Sequence, residues 1–163
     1  DMRTETLWDD NKAQLERQSV DVRYRDEEKR LFNIGYQFVD RDSTVNDDGD
    51  LVDRSVEQAY VSGAYPIGKQ WSVIGHWNHD ITHNRELETI AGLEYDSCCW
   101  SARVIARSWA VNRNYRDNVD NQKTDTGIFF QVQFKSLGNF GENLESMLSD
   151  AIFGFDERGK YLN

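Results

Sequence analysis

Cys98 and Cys99 are the chain's two cysteines, and they are adjacent. Thiols offer redox and soft-metal chemistry, so what surrounds them decides their use. Disulfides hold Cα atoms about 4.4 to 6.8 Å apart and sequence neighbours sit at about 3.8 Å, which makes a bond between the two awkward. Two readings stand: each sulfur seeks a distant partner, or the pair is simply two small thiol-bearing residues at the start of a strand. Zinc needs further Cys or His at ligand spacing, and His76, His79 and His83 do not supply it. On a strand, His76 and His79 point to opposite faces, and only His79 and His83 share one. We expect no metal site and no cofactor. Asn46-Asp47-Asp48-Gly49-Asp50 looks like a calcium loop until it is registered. With Gly49 at the sixth place, Thr44 and Ser55 fall where an EF-hand puts its first and last ligands, so a solvated loop is expected, as for Asp117, Asp120 and Asp125. Glu88 and Glu94 share a strand face but lie about 20 Å apart, too far for joint acid–base work. No G-x-S-x-G, P-loop or Rossmann signature occurs, and the chain reads as a protein that is not an enzyme.

With chemistry this sparse, the elements carry the information. The 163 residues permit one ordinary domain, and 29 acidic against 19 basic side chains give a net charge of −10. That balance excludes a nucleic-acid groove, which needs clustered Lys and Arg. No run of about 18 apolar residues occurs, which rules out a spanning helix but not a spanning strand of about 10 alternating residues. Aromatic residues at 12% are too many for a disordered acidic tail. The start Asp1-Met2-Arg3-Thr4 lacks a basic segment before an apolar stretch, so either a leader has been removed or the sequence is an excerpt.

Seven stretches alternate with period two and predict strands over roughly 18–25, 31–39, 56–65, 70–79, 87–95, 99–110 and 127–136. Met2, Thr4, Thr6 and Trp8 suggest the end of an eighth. Leu144, Met147, Leu148, Ala151 and Ile152 form the only helical stripe, a short amphipathic helix expected to dock on a neighbour. Connections alternate between short and long, the rhythm of outer-membrane barrels. On each strand one parity carries no charge, as in Phe32, Ile34, Tyr36, Phe38 or Trp100, Ala102, Val104, Ala106. It covers 30 positions, where the 29% charged content would place about nine charges. Lys or Arg at the midplane of a lipid face costs about 2 to 4 kcal/mol, which explains the exclusion. By this rule Ala102 and Val132 reject Arg, while Ser101 and Gln131 accept it. Tyr65, Trp71, Trp77, Tyr95 and Trp100 cluster near strand ends, as an interfacial girdle would.

The other parity carries Arg23, Arg103, Arg107, Glu88, Glu94, Gln131, Gln133 and Lys135, and we expect it to face a wet lumen. The fold class is therefore all-β: antiparallel transmembrane strands, one arc of a large outer-membrane barrel, with a short helix in the tail. Packing those charges into a narrow closed barrel costs more desolvation than lining a wide one. Two alternatives are a small closed outer-membrane barrel with a structural or adhesion role and a soluble lipocalin-like ligand-binding barrel.

Gly92-Leu93-Glu94-Tyr95-Asp96-Ser97-Cys98-Cys99-Trp100-Ser101-Ala102-Arg103-Val104 closely resembles the C-terminal barrel segment of the lipopolysaccharide-assembly outer-membrane proteins, the LptD family. Tyr65-Pro66-Ile67-Gly68-Lys69-Gln70-Trp71-Ser72, Leu31-Phe32-Asn33-Ile34-Gly35-Tyr36 and the run from Gly127 to Gly138 agree. The resemblance implies a large barrel that inserts lipopolysaccharide into the outer leaflet through a lateral opening between its first and last strands. It implies four partners: a plug lipoprotein, a periplasmic transport bridge reached through an N-terminal domain absent from this sequence, lipopolysaccharide itself, and the barrel-insertion machinery. It also implies that Cys98 and Cys99 form disulfides with cysteines outside this chain. Gly127, Phe130, Val132 and Phe134 would belong to the final strand, with its assembly signal and lateral gate. Residues 1–137 would then be the C-terminal strands of a fragment. Residues 138–163 would be a periplasmic tail on the same side as the cysteine turn.

Overall fold

The structure is a computed structural model, and it describes residues 1–9, 14–26, 29–39, 44–45, 51–52, 55–111, 123–134, 138–141, 144–156 and 158. Its strands are β1 (Met2–Asp9), β2 (Gln14–Arg25), β3 (Leu31–Val39), β4 (Thr44–Val45), β5 (Leu51–Val52), β6 (Val56–Pro66), β7 (Trp71–Asp80), β8 (Arg85–Asp96), β9 (Trp100–Ala110), β10 (Thr124–Phe134) and β11 (Gly138–Gly141), followed by helix α1 (Leu144–Ala151). All seven predicted strands are present, and β1 is the eighth. Strands β4, β5 and β11 go unread in the sequence because two or four residues contain no period to count. Gly138, expected to open the tail, instead pairs with Phe134 of β10.

Nine strands form one antiparallel sheet in the order β1-β2-β3-β6-β7-β8-β9-β10-β11, with β4 and β5 as a separate hairpin. The long strands have 8 to 12 residues, close to the 9 to 11 that cross hydrocarbon when tilted. No described helix is long and apolar enough to cross a membrane. One end of the sheet combines the four-residue β7–β8 turn with the long loops, while the end that joins β2 to β3, β6 to β7, β8 to β9 and β10 to β11 has only short connections of three to five residues. Gly68, at φ +105°, turns β6 into β7 there, in a region of φ/ψ space where a Cβ would be strained.

Register converts the alternation into continuous rows. Val22, Ile34, Val61, Trp77, Thr89 and Ser108 are successive cross-strand partners, and so are Tyr24, Phe32, Gly63, Gly75, Ala91, Ala106 and Ile128. Nothing in the described chain covers these rows. Tyr65, Trp71, Leu93 and Val104 are exposed, Phe130 is 55% exposed and Ile128 80%. Trp71, Tyr95 and Trp100 cluster at the short-turn end, edge-on and tilted, with ring centroids 4.9 and 5.0 Å apart. Trp77 stands nearer the other end, donating from Nε1 to Glu86 at 3.0 Å.

The opposite face is only partly the wet wall expected of it. Leu31, Ala64, Ile74, Ile90 and Ile105 share its parity and are buried beneath Leu144, Leu148, Ile152 and Phe155 of the tail. The difference has a physical source: hydrocarbon forbids charge, so the outer face keeps its carboxylates, Glu57 and Glu86, to its long-loop end, whereas an inner face tolerates both kinds of residue along its length. The helical stripe thus docks on this chain's own sheet. Glu145 in its first turn favours the helix dipole, and Gly154, at φ +80°, redirects the chain beyond its end.

Candidate functional site

Pairing brings Glu94, Arg103 and Gln131 side by side on β8, β9 and β10. Arg103 donates from Nε to Glu94 at 2.5 Å and from Nη1 to Gln131 at 3.3 Å and Glu145 at 2.6 Å. Arg158 donates from Nη2 to the other Glu94 oxygen at 3.1 Å. Both guanidinium groups lie over the Phe155 ring, at 5.2 and 5.1 Å. Two cations and two carboxylates form a neutral cluster, in which Arg103, Glu94 and Arg158 are largely buried and bonded while Glu145 reaches water. Burial holds the Arg158 guanidinium below its ordinary pKa, and Glu94 opposes that shift.

Further along the strands, Arg107 donates to Glu88 at 2.5 Å, and His76 Nε2 lies 3.6 Å from the other Glu88 oxygen. On β2, Arg23 stands over the Phe153 ring at 3.8 Å, while on β3 Asn33 donates to the Phe153 carbonyl at 3.2 Å and to Ser62 at 3.3 Å. The tail therefore crosses the inner face from β10 to β2. Gln133 is half-buried opposite Ser101. Lys135 lies outside the described residues, as do Asp47, Asp48, Asp117 and Asp120.

Cys98 and Cys99 occupy the tight β8–β9 connection, both exposed, with sulfurs 2.9 Å apart. That is well beyond the roughly 2.05 Å of a disulfide, so the two are not bonded to each other. The turn is pinned from both sides: Asp96 N donates to Gln70 O at 2.7 Å, Ser97 N to Trp100 O at 2.9 Å, and Lys29 pairs with Asp96 at 3.3 Å. Of the four positions assigned to the last strand, Phe130, Val132 and Phe134 share the outer parity, and Gly127 lies on the inner one. A Cβ on Gly127 would stand 3.0 Å from the Phe129 ring. Strand β11 pairs with β10 only from Gln131 to Phe134, so the edge from Thr124 to Phe130 has no partner strand among the described residues.

Sequence reasoning missed Glu145 and Arg158, whose partners lie 42 and 64 residues away. The only hint was a helical stripe with nothing assigned to receive it. It also missed the buried carboxylate of Asp80, which accepts from Arg85 at 2.8 Å, His83 Nδ1 at 2.9 Å and the His83 backbone at 3.2 Å. This cluster closes the β7–β8 hairpin.

An antiparallel sheet with an ion-paired inner face and an uncovered outer face whose described carboxylates, Glu57 and Glu86, sit only toward the long-loop end defines a class, the outer-membrane β-barrel proteins. The family model described as LPS transport system D matches residues 1–71. The LPS-assembly protein LptD of Saccharophagus degradans is 37% identical over 158 residues, 94% of this chain and 18% of the relative. Those of Nitrosococcus oceani and Hahella chejuensis are 34% and 32% identical over 96% and 99% of this chain, again 18% of each relative. The chain belongs to the LptD family, and it spans about 18% of the length of these curated relatives.

Proposed function

We propose that this chain is the C-terminal wall of a barrel that delivers lipopolysaccharide to the outer leaflet through a lateral opening. One observation carries the reading: in a chain matched along nearly its whole length by LPS-assembly proteins, alternate residues of the same strands keep charge out of the middle of one face and pair it on the other. A soluble barrel would bury Phe32, Tyr65, Trp71 and Phe130, which here are exposed. An open sheet edge cannot face hydrocarbon, so further strands must complete the wall. The rest of the reading extends the family resemblance. Strand β10 borders the lateral opening and carries the assembly signal for the insertion machinery, with Phe130, Val132 and Phe134 turned to lipid. The short turns and the tail face the periplasm, an oxidising compartment, where Cys98 and Cys99 bond to cysteines outside this chain. A plug lipoprotein occupies the lumen, and lipopolysaccharide arrives from the periplasmic bridge through a separate N-terminal domain.

The test uses the full-length protein. Non-reducing peptide mass mapping is expected to find Cys98 and Cys99 each joined to a cysteine outside residues 1–163, and changing both to Ser is expected to slow the appearance of lipopolysaccharide at the cell surface. Thiols at both positions, together with undiminished surface lipopolysaccharide in the double variant, would refute this reading of the cysteine turn.

A further inference from the structure

The outer face is hollowed where β6 and β7 pass each other, leaving a groove of about 620 Å³. Phe32, Val61, Tyr65, Val73 and Trp77 are among its lining residues, and Gly63 and Gly75, direct partners in the register, are its smallest. Tyr24 and Arg30 stand at its short-turn end. The Arg30 guanidinium lies 5.6 Å from the Tyr65 ring centroid and is ion-paired to Asp26 at 3.4 Å.

The two glycines have different reasons to exist. A Cβ on Gly63 would come within 2.5 Å of the Leu31 carbonyl oxygen, so the neighbouring backbone demands glycine there. A Cβ on Gly75 would meet nothing nearer than the Ile90 carbonyl oxygen, at 4.0 Å. Glycine weakens a strand interior and marks places where a ligand comes close to the backbone. Packing within the chain gives no reason for Gly75, whereas an occupant of the groove does.

Hydrocarbon surrounds this face, and the groove begins at its aromatic belt. Gly63 lies two residues, about 7 Å, from Tyr65. An aliphatic chain lying in the groove therefore carries its polar end to Arg30, with Lys69 exposed on the adjacent turn. A guanidinium fork matches phosphate oxygens. Asp26 balances one of these two cations, and the charge of the other is what an anion meets at the rim. We propose that the groove holds one acyl chain of a glycerophospholipid whose phosphate is bound by Arg30. This rests on the reading that the short turns face the periplasm, which places the rim in the phospholipid leaflet.

The experiment takes full-length protein, strips its lipid, and titrates it separately with dioleoylphosphatidylglycerol and dioleoylglycerol, counting bound molecules by native mass spectrometry. One tightly held phosphatidylglycerol is expected. Gly75→Leu should weaken it by at least about tenfold while heat-modifiable gel mobility stays normal, because the added side chain has room. Arg30→Gln should weaken phosphatidylglycerol alone and leave dioleoylglycerol unchanged. Should Gly75→Leu fail to fold, Val73→Trp fills the same space from the wall and is judged by the same readouts. Wild-type affinity in the filled variants overturns the proposal, as does a second protein copy in place of lipid. A Lys69→Cys label on intact cells separates the two readings: outside labelling would refute the orientation, whereas the titration judges the groove itself.

Discussion

Arg103 and Val104 are consecutive on β9, and the strand delivers them to different solvents. Val104 lies between Leu93 and Phe130 in a row that nothing in the described chain covers. Arg103 lies between Glu94 and Gln131 in a row that the tail closes over. One face is governed by exclusion, since hydrocarbon penalises every charge placed in it. The other is governed by pairing, so an Arg is acceptable wherever a carboxylate meets it and an Ile is acceptable beside it. Ile105 is fully buried two residues from Arg103, whereas on the outer face the carboxylates Glu57 and Glu86 sit only near the long-loop end.

The pairing rule breaks most visibly at Arg103. Arg103→Ala leaves Glu94 and Glu145 facing each other without that cation, and removing one partner of a buried pair costs about 3 to 5 kcal/mol. Urea unfolding of the full-length protein in detergent, followed by heat-modifiable mobility, should show the loss. A shift under about 1 kcal/mol would mean that water screens the cluster and that the inner wall is wet after all. The exclusion rule is tested by Ala102→Arg, expected to cost about 2 to 4 kcal/mol and to block insertion, against Ser101→Arg, expected to be tolerated. Equal outcomes at the two neighbours would erase the distinction between the faces. Gln131→Arg, which parity alone permits, is now expected to fail as well. Gln131 is buried and accepts from Arg103, so the variant sets two cations together.

A smaller effect is expected at the β7–β8 hairpin, away from both the tail and the lipid face. Asp80→Asn keeps the size of the buried side chain but removes the charge that Arg85 and His83 share. Hydrogen bonds to charged groups contribute about 1.5 to 3 kcal/mol, so amide exchange over Ile81 to Asn84 should accelerate while exchange in β9 and β10 stays unchanged. Acceleration throughout the sheet would mean that the hairpin supports more than its own turn.

How much of this was legible follows from the same two rules. Exclusion writes itself into the sequence: 30 charge-free positions at period two gave the strands, their faces and the class. Pairing does not, because Arg103 finds Glu94 nine residues away along a hairpin but Glu145 lies 42 residues off, on an element of a different period. Listing the inner face by its polar members also hid Ile74, Ile90 and Ile105, whose partners are the helical stripe. Strand β11 was invisible for the simpler reason that Gly-Asn-Phe-Gly alternates nothing.

The smallest expected effect separates the two forces that hold the tail down. Glu145 is 41% exposed at its side chain, and Arg103 keeps Glu94 at 2.5 Å if Glu145 is neutralised. The amide oxygen of Glu145→Gln can still accept from Nη1, so solvent screening and the surviving bond together limit the cost to about 0.5 to 1 kcal/mol. Leu144, Leu148, Ile152 and Phe155, all buried, then continue to hold α1 against Ile74, Ile90 and Ile105. Amide exchange in α1 should rise only about two- to fivefold in this variant, against the much larger rise that Arg103→Ala produces. If Glu145→Gln instead releases the helix as fully as Arg103→Ala, the apolar stripe is not what docks the tail. The inner face would then be held by charge pairing alone, in sharper contrast to the outer face than the buried isoleucines suggest.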